Sequence, residues 1–397
     1  MPRLLRSMCI RTPIAPQYGC DRELRFPFPG TLGHLQLQSL LGWSSAWLMR
    51  LRLHGRNNNA KFGREQLLNH REIPFALGSF SNESGKAFLG VVQDEWVTPV
   101  TAFEALQFAP EVTLFDLLGN WGSSFAALKA AIATDARADQ RVRLADLVPH
   151  APLPQSRQVF CTGANYRKHV IEMVVVMDSP ETEGMDAEQR RDFGAAYVAR
   201  QIAESNPYIF MKPATSIAGP CDDLILPGFS ERVDWEIELG VVIGAPTYRV
   251  PRTDAPAFIA GYMIVNDLTA RDKVRRTDPG AIGPDWIAAK GAQGFLPTGP
   301  LFVPAEFVPD PHDLGMRLIV NGETMQDDRT SDMTFDIPRQ IEYLSAHSRL
   351  LPGDILCTGS PAGNGITRGQ FLKEGDVMEA EIDGLGRQIT HCIRSVK

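Results

Sequence analysis

Two carboxylates stand two residues apart at the head of an apolar run, in Asp234-Trp235-Glu236-Ile237-Glu238-Leu239-Gly240-Val241-Val242-Ile243. Side chains alternate across a strand, so Glu236 and Glu238 point to one face. Two such charges side by side repel unless a cation or a proton lies between them, or unless both simply face solvent. A second apolar run, Gly261-Tyr262-Met263-Ile264-Val265-Asn266, ends in Asp267 and continues Leu268-Thr269-Ala270-Arg271-Asp272. An acid delivered at a strand end offers a third oxygen ligand. Three carboxylates with positions left open for water and substrate suit Mg²⁺ or Mn²⁺ better than zinc, which prefers His or Cys. Asp272 is expected to pair with Arg271 or to cap the segment that follows.

Upstream, Gly163-Ala164-Asn165-Tyr166-Arg167-Lys168-His169-Val170-Ile171-Glu172 reads as a Gly/Asn turn opening a short helix. On a helix His169 and Glu172 share a face and can hydrogen-bond. A carboxylate that orients an imidazole and supports its protonated form makes the histidine a better general base, although such a pair also reads as a surface salt bridge. Downstream, Lys290 opens Lys290-Gly291-Ala292-Gln293-Gly294-Phe295-Leu296-Pro297, a run too rich in Gly and Pro for a helix. A lysine fixed by such a loop can supply positive charge to an enolate or carboxylate, the alternative being an exposed loop lysine. The turn Thr358-Gly359-Ser360-Pro361-Ala362-Gly363-Asn364-Gly365 can present backbone N–H groups to an anionic substrate end.

Strand-like runs separated by Gly and Pro must position these residues. They dominate from residue 153 onward, at 235–243, 261–267, 314–320 and 377–382, so 153–397 reads as a mainly β catalytic domain. Residues 174–206 interrupt it as a lid or insertion. There 187–203 reads as a polar helix with Phe193, Ala196, Tyr197 and Arg200 near one face. Ahead lies a small α+β domain, 71–152, with strands at 87–92 and 96–100 and a helix near 123–133. Residues 1–70 carry ten Lys and Arg against Asp21, Glu23 and Glu65. This stretch reads either as an organelle transit peptide or as a poorly ordered leader that the mature fold does not use.

The leader masks an acidic body: the whole chain stands at −7, but residues 71–397 hold 30 basic against 44 acidic residues, a net −14. Such a body repels phosphate backbones, which excludes nucleic acid as the expected partner. Six cysteines without a CxxC pair indicate neither a zinc knuckle nor a disulfide framework. No apolar stretch reaches the roughly 18 to 20 residues that span a bilayer, so no membrane association is expected. A cytoplasmic protein is the simpler reading, a mitochondrial one the alternative if the leader is a transit peptide.

Taken in order, these segments resemble the fumarylacetoacetate hydrolase family, in its acylpyruvase and 2-oxo-acid branch. The matching text is Asn165-Tyr166…His169…Glu172, Phe210-Met211-Lys212-Pro213, Asp234…Glu236…Glu238…Gly240, Asn266-Asp267…Ala270-Arg271-Asp272, Lys290-Gly291, Asn321-Gly322-Glu323, and Leu351-Pro352-Gly353-Asp354…Thr358-Gly359-Ser360-Pro361. The resemblance implies an α+β, mainly β fold, a mixed β-sandwich roll, and a homodimer. It implies Mg²⁺ or Mn²⁺ on Glu236, Glu238 and Asp267. His169 and Glu172 would activate a water and Lys290 would stabilise an enolate, with Tyr166, Arg271, Thr358 and Gly359 contacting a small 2-oxo or diketo acid. The implied reaction is hydrolysis of a carbon–carbon bond in an acylpyruvate-like 1,3-diketo acid through a metal-bound enolate. Decarboxylation, isomerisation or hydration of a 2-oxo acid is the alternative, and a non-catalytic binding module a further one. Family members acting on fumarylacetoacetate itself carry an acidic ligand where this chain has Thr162, so the three-carboxylate branch is the better match.

Overall fold

The computed structural model describes residues 73–394 apart from 83–84, 135–137, 279 and 281, so the basic leader expected over 1–70 lies outside the described residues. Six strands build the central sheet: β1 (Val159–Gly163), β2 (Tyr208–Lys212), β3 (Ile237–Ile243), β4 (Ile259–Asn266), β5 (Val303–Pro304) and β6 (Ile355–Cys357). Their order is β5-β4-β3-β6-β1-β2, antiparallel except for the parallel pair β6/β1, which makes the sheet mixed.

Every residue of β3 and β4 is buried, which explains their nearly unbroken apolar text. Alternation sends Ile237, Leu239, Val241, Tyr262 and Ile264 into one core, shared with Met316, Leu318, Met378, Ala380 and Ile382 of a second, five-stranded sheet. Val242, Met263 and Val265 enter another core on the opposite face, shared with Phe75 and with Leu77, Leu89 and Val91 of an N-terminal five-stranded sheet. The result is an α+β, mainly β layered fold. Gly240 lets β3 and β4 close up, because a Cβ there would lie 2.7 Å from Val265 Cγ1.

Helices are few among the described residues, and those that concern the site are α1 (Arg167–Val176), α2 (Ala187–Glu204), α3 (Arg271–Val274), α4 (Trp286–Lys290) and α5 (Gly365–Arg368). None of the described helices is long and apolar enough to cross a membrane. Asp186 caps α2, its side chain accepting from the Glu188 and Gln189 N–H groups. The expected apolar face of α2, Phe193 with Ala196, Tyr197 and Arg200, is not the one buried: Gly194 and Val198 are. Gly194 brings the helix close to α1, since a Cβ there would sit 3.3 Å from Ile171 Cα and 3.5 Å from Val174 Cβ.

The Gly/Pro-rich text after Lys290 does not leave that lysine in a loop. Asp285 caps a short helix by accepting from the Ala288 N–H, and Lys290 is its last residue, ahead of the Gly291 C-cap. The stop signal lies one residue beyond Lys290, and the start signal lies upstream of it.

Candidate functional site

The three acids read from the strands converge. Glu236 precedes β3, Glu238 lies within it, and Asp267 follows β4; all are buried, and each offers a carboxylate oxygen within 4.8 Å of the others. The backbone fixes them: Asp267 N–H donates to Glu236 O at 2.8 Å, and Glu236 N–H donates to Asn266 Oδ1 at 2.9 Å.

Cations surround the cluster. Lys290 Nζ donates to Glu236 Oε2 (2.9 Å), Asp267 Oδ2 (2.6 Å) and Asp267 O (3.0 Å). Arg271 Nε donates to Asp234 Oδ2 at 2.7 Å, and its Nη2 lies 2.5 Å from Glu236 Oε1. Lys212, which carried no role in the sequence reading, stands 2.7 Å from Asp267 Oδ1 and donates to Leu268 O at 3.1 Å. A lysine two residues beyond Phe210, on the same strand face, was a signal in the sequence, but a single Lys on a short strand gives no partner.

The expected pairing of Arg271 with Asp272 is replaced. Arg271 turns inward to Asp234 and Glu236, while Asp272 accepts from Ser230 Oγ and pairs with Lys273 at 3.1 Å. A buried guanidinium beside two buried carboxylates gains far more than a neighbour on a half-exposed helix turn could supply.

These surroundings set the charges. Burial alone would push Glu236 up, but Arg271 and Lys290 outweigh it and hold its carboxyl at about 2. Glu238 goes the other way: burial, then Asp267, Cys357 and Glu236, raise it well above the ordinary range. Glu238 therefore requires either a proton or a nearby cation. Asp267 Oδ1 is also buried without an aligned hydrogen bond. An all-oxygen donor set and a carboxyl that burial and neighbouring acids push toward its protonated form fit a hard divalent cation on Glu236, Glu238 and Asp267.

Four N–H groups of the turn 358–366, which the sequence reading offered to an outside anion, go to the protein's own acids. Gly359 N–H donates to Glu238 Oε2 (2.7 Å), Gly363 N–H to Glu172 Oε2 (2.9 Å), and Gly365 and Ile366 N–H to Asp234 at 2.6 and 3.0 Å. These four donors look free in a Gly-rich string, yet acids distant in sequence take them. Thr358 is buried with its hydroxyl on Leu239 O (2.9 Å). Glycine is required at 363, where φ is +97° and a Cβ would meet Met325 O at 2.0 Å.

His169 and Glu172 both lie on α1, but the hydrogen bond expected between them is not formed; Glu172 Oε2 instead accepts from Gly363 N–H. His169 Nδ1 is buried with no partner. Burial, and then Arg271, depress His169 to about 4, so the imidazole is neutral at physiological pH. Tyr166, expected to touch substrate, is completely buried and donates its hydroxyl to Met316 Sδ (3.1 Å). It forms a wall behind the site. Thr162 donates to Gln340 Oε1 at 2.7 Å. Beside Glu172 opens a cleft of about 390 Å³, lined also by Ile171, Val175, Val176, Arg191 and Arg368.

The chain has recognisable relatives. The family model described as fumarylacetoacetate (FAA) hydrolase C-terminal matches residues 158–393. Oxaloacetate tautomerase FAHD2A, mitochondrial, of Bos taurus is 34% identical over 276 residues, 69% of this chain and 77% of the relative. Among solved structures, 2-hydroxyhepta-2,4-diene-1,7-dioate isomerase from Mycobacterium marinum is 28% identical with a TM-score of 0.57. Maleylpyruvate hydrolase from Sphingobium sp. SYK-6, in complex with manganese (II) ion and pyruvate, is 25% identical with a TM-score of 0.60. Each structural match covers 81% of this chain and 100% of the other.

Proposed function

The chain belongs to the fumarylacetoacetate hydrolase family, and from that premise we propose a divalent-metal-dependent hydrolase that cleaves a carbon–carbon bond in a 1,3-diketo, acylpyruvate-like acid. The observation that carries this reading is His169: a buried, neutral imidazole with an unpartnered Nδ1, one helical turn from a carboxylate that lines an open cleft. Mg²⁺ or Mn²⁺ held by Glu236, Glu238 and Asp267 would supply Lewis acidity toward the 2-oxo carboxylate end of the substrate.

The residues divide the remaining work. Glu172, fixed by Gly363 N–H, orients water in the cleft, and His169 accepts its proton as the oxygen attacks the second carbonyl. The bond from that carbonyl carbon to the neighbouring methylene breaks. Its electron pair leaves as the enolate of pyruvate, the oxygen stays with the new carboxylic acid, and the imidazolium returns the proton to the enolate carbon. Lys290 and Arg271 keep positive charge at the acid cluster, lowering the repulsion that an anionic substrate meets there.

A second reading is keto–enol tautomerisation of oxaloacetate, favoured by the likeness to the Bos taurus oxaloacetate tautomerase. The same neutral histidine would move a carbon-bound proton instead of a water proton. The test is a product assay of metal-stripped protein, with and without Mg²⁺ or Mn²⁺, on short acylpyruvates and oxaloacetate in parallel. Metal-restored release of pyruvate and a free acid is the expected result; metal-dependent loss of enol-oxaloacetate absorbance with acylpyruvates untouched replaces hydrolysis with tautomerisation.

The proposal extends to a homodimer, supported by the exposed Tyr208 and Met211 on the outer strand β2 of the central sheet and by exposed Ile287 on α4. The likeness to a mitochondrial protein of Bos taurus favours the transit-peptide reading of the leader over a cytoplasmic protein.

A further inference from the structure

Resting on the reading of Glu236, Glu238 and Asp267 as a divalent-cation centre, we infer that Lys212 is an ion-selectivity residue. By pairing with Asp267 Oδ1 it limits that acid to a single-oxygen hold on the cation, and so sets the centre against Ca²⁺. The carboxylate oxygens divide into two sets. Glu236 Oε1 is taken by Arg271 Nη2 at 2.5 Å and by Thr269 Oγ1 at 3.1 Å. Glu238 Oε2 accepts from the Gly359 N–H at 2.7 Å, and Asp267 Oδ1 pairs with Lys212 Nζ at 2.7 Å. Each acid thus has one oxygen committed to donors that touch neither of the other two.

Lys290 is placed differently from Lys212. Its Nζ bridges Glu236 Oε2 at 2.9 Å and Asp267 Oδ2 at 2.6 Å, two of the three oxygens left over, and also donates to Asp267 O at 3.0 Å. A cation drawn between the acids takes these same oxygens together with Glu238 Oε1, and Lys290 keeps its main-chain acceptor. Lys212 touches one acid only. It is the last residue of β2, its side chain is wholly buried, and its ammonium lies 5.9 Å from the centre of the Phe295 ring and donates to Leu268 O at 3.1 Å.

That arrangement decides how Asp267 can bind. A one-oxygen hold through Oδ2 leaves the Lys212 pair intact. A two-oxygen hold draws Oδ1 away as well, and a buried ammonium is then left with one uncharged acceptor, a strongly unfavourable exchange in a site without water to replace the lost partner. Ca²⁺ gathers about six to eight oxygens and uses carboxylates with both oxygens to reach that number, whereas Mg²⁺ and Mn²⁺ are satisfied by six. Three acids that each give one oxygen suit the smaller ions. Lys212 is therefore a positioning residue, acting on the cation through Asp267.

The test is calorimetric titration of Mn²⁺ and of Ca²⁺ into metal-stripped wild type, Lys212→Met and Lys212→Leu, with circular dichroism confirming the fold of each. Wild type is expected to bind Mn²⁺ more tightly than Ca²⁺ by about tenfold or more, and both variants should narrow that ratio by about fivefold or more, chiefly through tighter Ca²⁺ binding. The lost positive charge strengthens both divalent ions alike and cancels in the ratio. Equal binding of the two ions by wild type, an unchanged ratio in a folded variant, or loss of both ions together in one overturns the role of Lys212, while wild-type Mn²⁺ binding keeps the cation centre in place. Binding of neither ion by wild type removes the centre and the selectivity with it. Infrared difference spectra of Mn²⁺ binding to wild type need no variant: a wide splitting between the antisymmetric and symmetric carboxylate stretches, the mark of one-oxygen binding, is expected, and a narrow splitting overturns the inference.

Discussion

The strand pair β3/β4 and the helix pair α1/α2 contribute to one site, and they are built in opposite ways. Both faces of β3/β4 are covered by other sheets, all fifteen of their residues are buried, and the acids at their ends are fixed by backbone donors and three cationic side chains. In α1 only His169 and Val170 are buried, and in α2 only Gly194 and Val198. A side chain in the first region cannot move without disturbing a close-packed core. A side chain on the outer face of the second changes at little cost to stability. On the proposed reading, the metal ligands are thereby fixed by the fold, while the outer faces of the helix pair are free to vary.

That contrast can be broken by substitution, and the largest effect should come from the strands. Glu236→Ala should abolish metal binding and reduce turnover to background, measured by titration with Mn²⁺ and by product release. Retained turnover would place the metal elsewhere. Asp234→Ala should follow, through stability. It removes one of the two buried carboxylate partners of Arg271 and the acceptor of two turn N–H groups, a loss of about 3–5 kcal/mol in denaturant unfolding.

Changes in the helix region should spare the metal. His169→Ala should slow turnover by about a hundredfold or more with Mn²⁺ affinity intact, and an unimpaired rate would remove the proposed base. Gly363→Ala sits between the two regions and sharpens the comparison. Its strained φ and the contact with Met325 O should lower stability by about 1–3 kcal/mol, and the lost hold on Glu172 should reduce kcat while leaving metal affinity near wild type.

The same contrast decides what was legible in the sequence. The strands were readable because burial on both faces writes long apolar runs: the expected 377–382 is the observed Val377–Ile382, and the expected 261–267 is observed as Ile259–Asn266. The acids at the strand ends were readable because carboxylates are out of place there. Partners across long separations were not. Arg271 turning back to Asp234, Lys212 reaching Asp267 and Gly363 holding Glu172 join residues that are 37, 55 and 191 positions apart, and no local pattern encodes such pairs. Lys290 was misplaced for a local reason, since the Gly-rich text after it outweighed the Asp285 cap before it. In α2 the helix was legible, and its buried face was not. Gly194 has no side chain to register in an apolar pattern, yet it is where α2 packs against Ile171 and Val174 of α1.

The central claim is that Glu236, Glu238 and Asp267 form a divalent-cation centre, and the most direct test is calorimetric titration of Mn²⁺ into metal-stripped wild-type protein and into Asp267→Ala, with circular dichroism confirming that both are folded. Saturable binding of one ion per chain to wild type and its loss in the variant is the expected result. Equal binding by the two proteins, or none by wild type, would contradict the assignment.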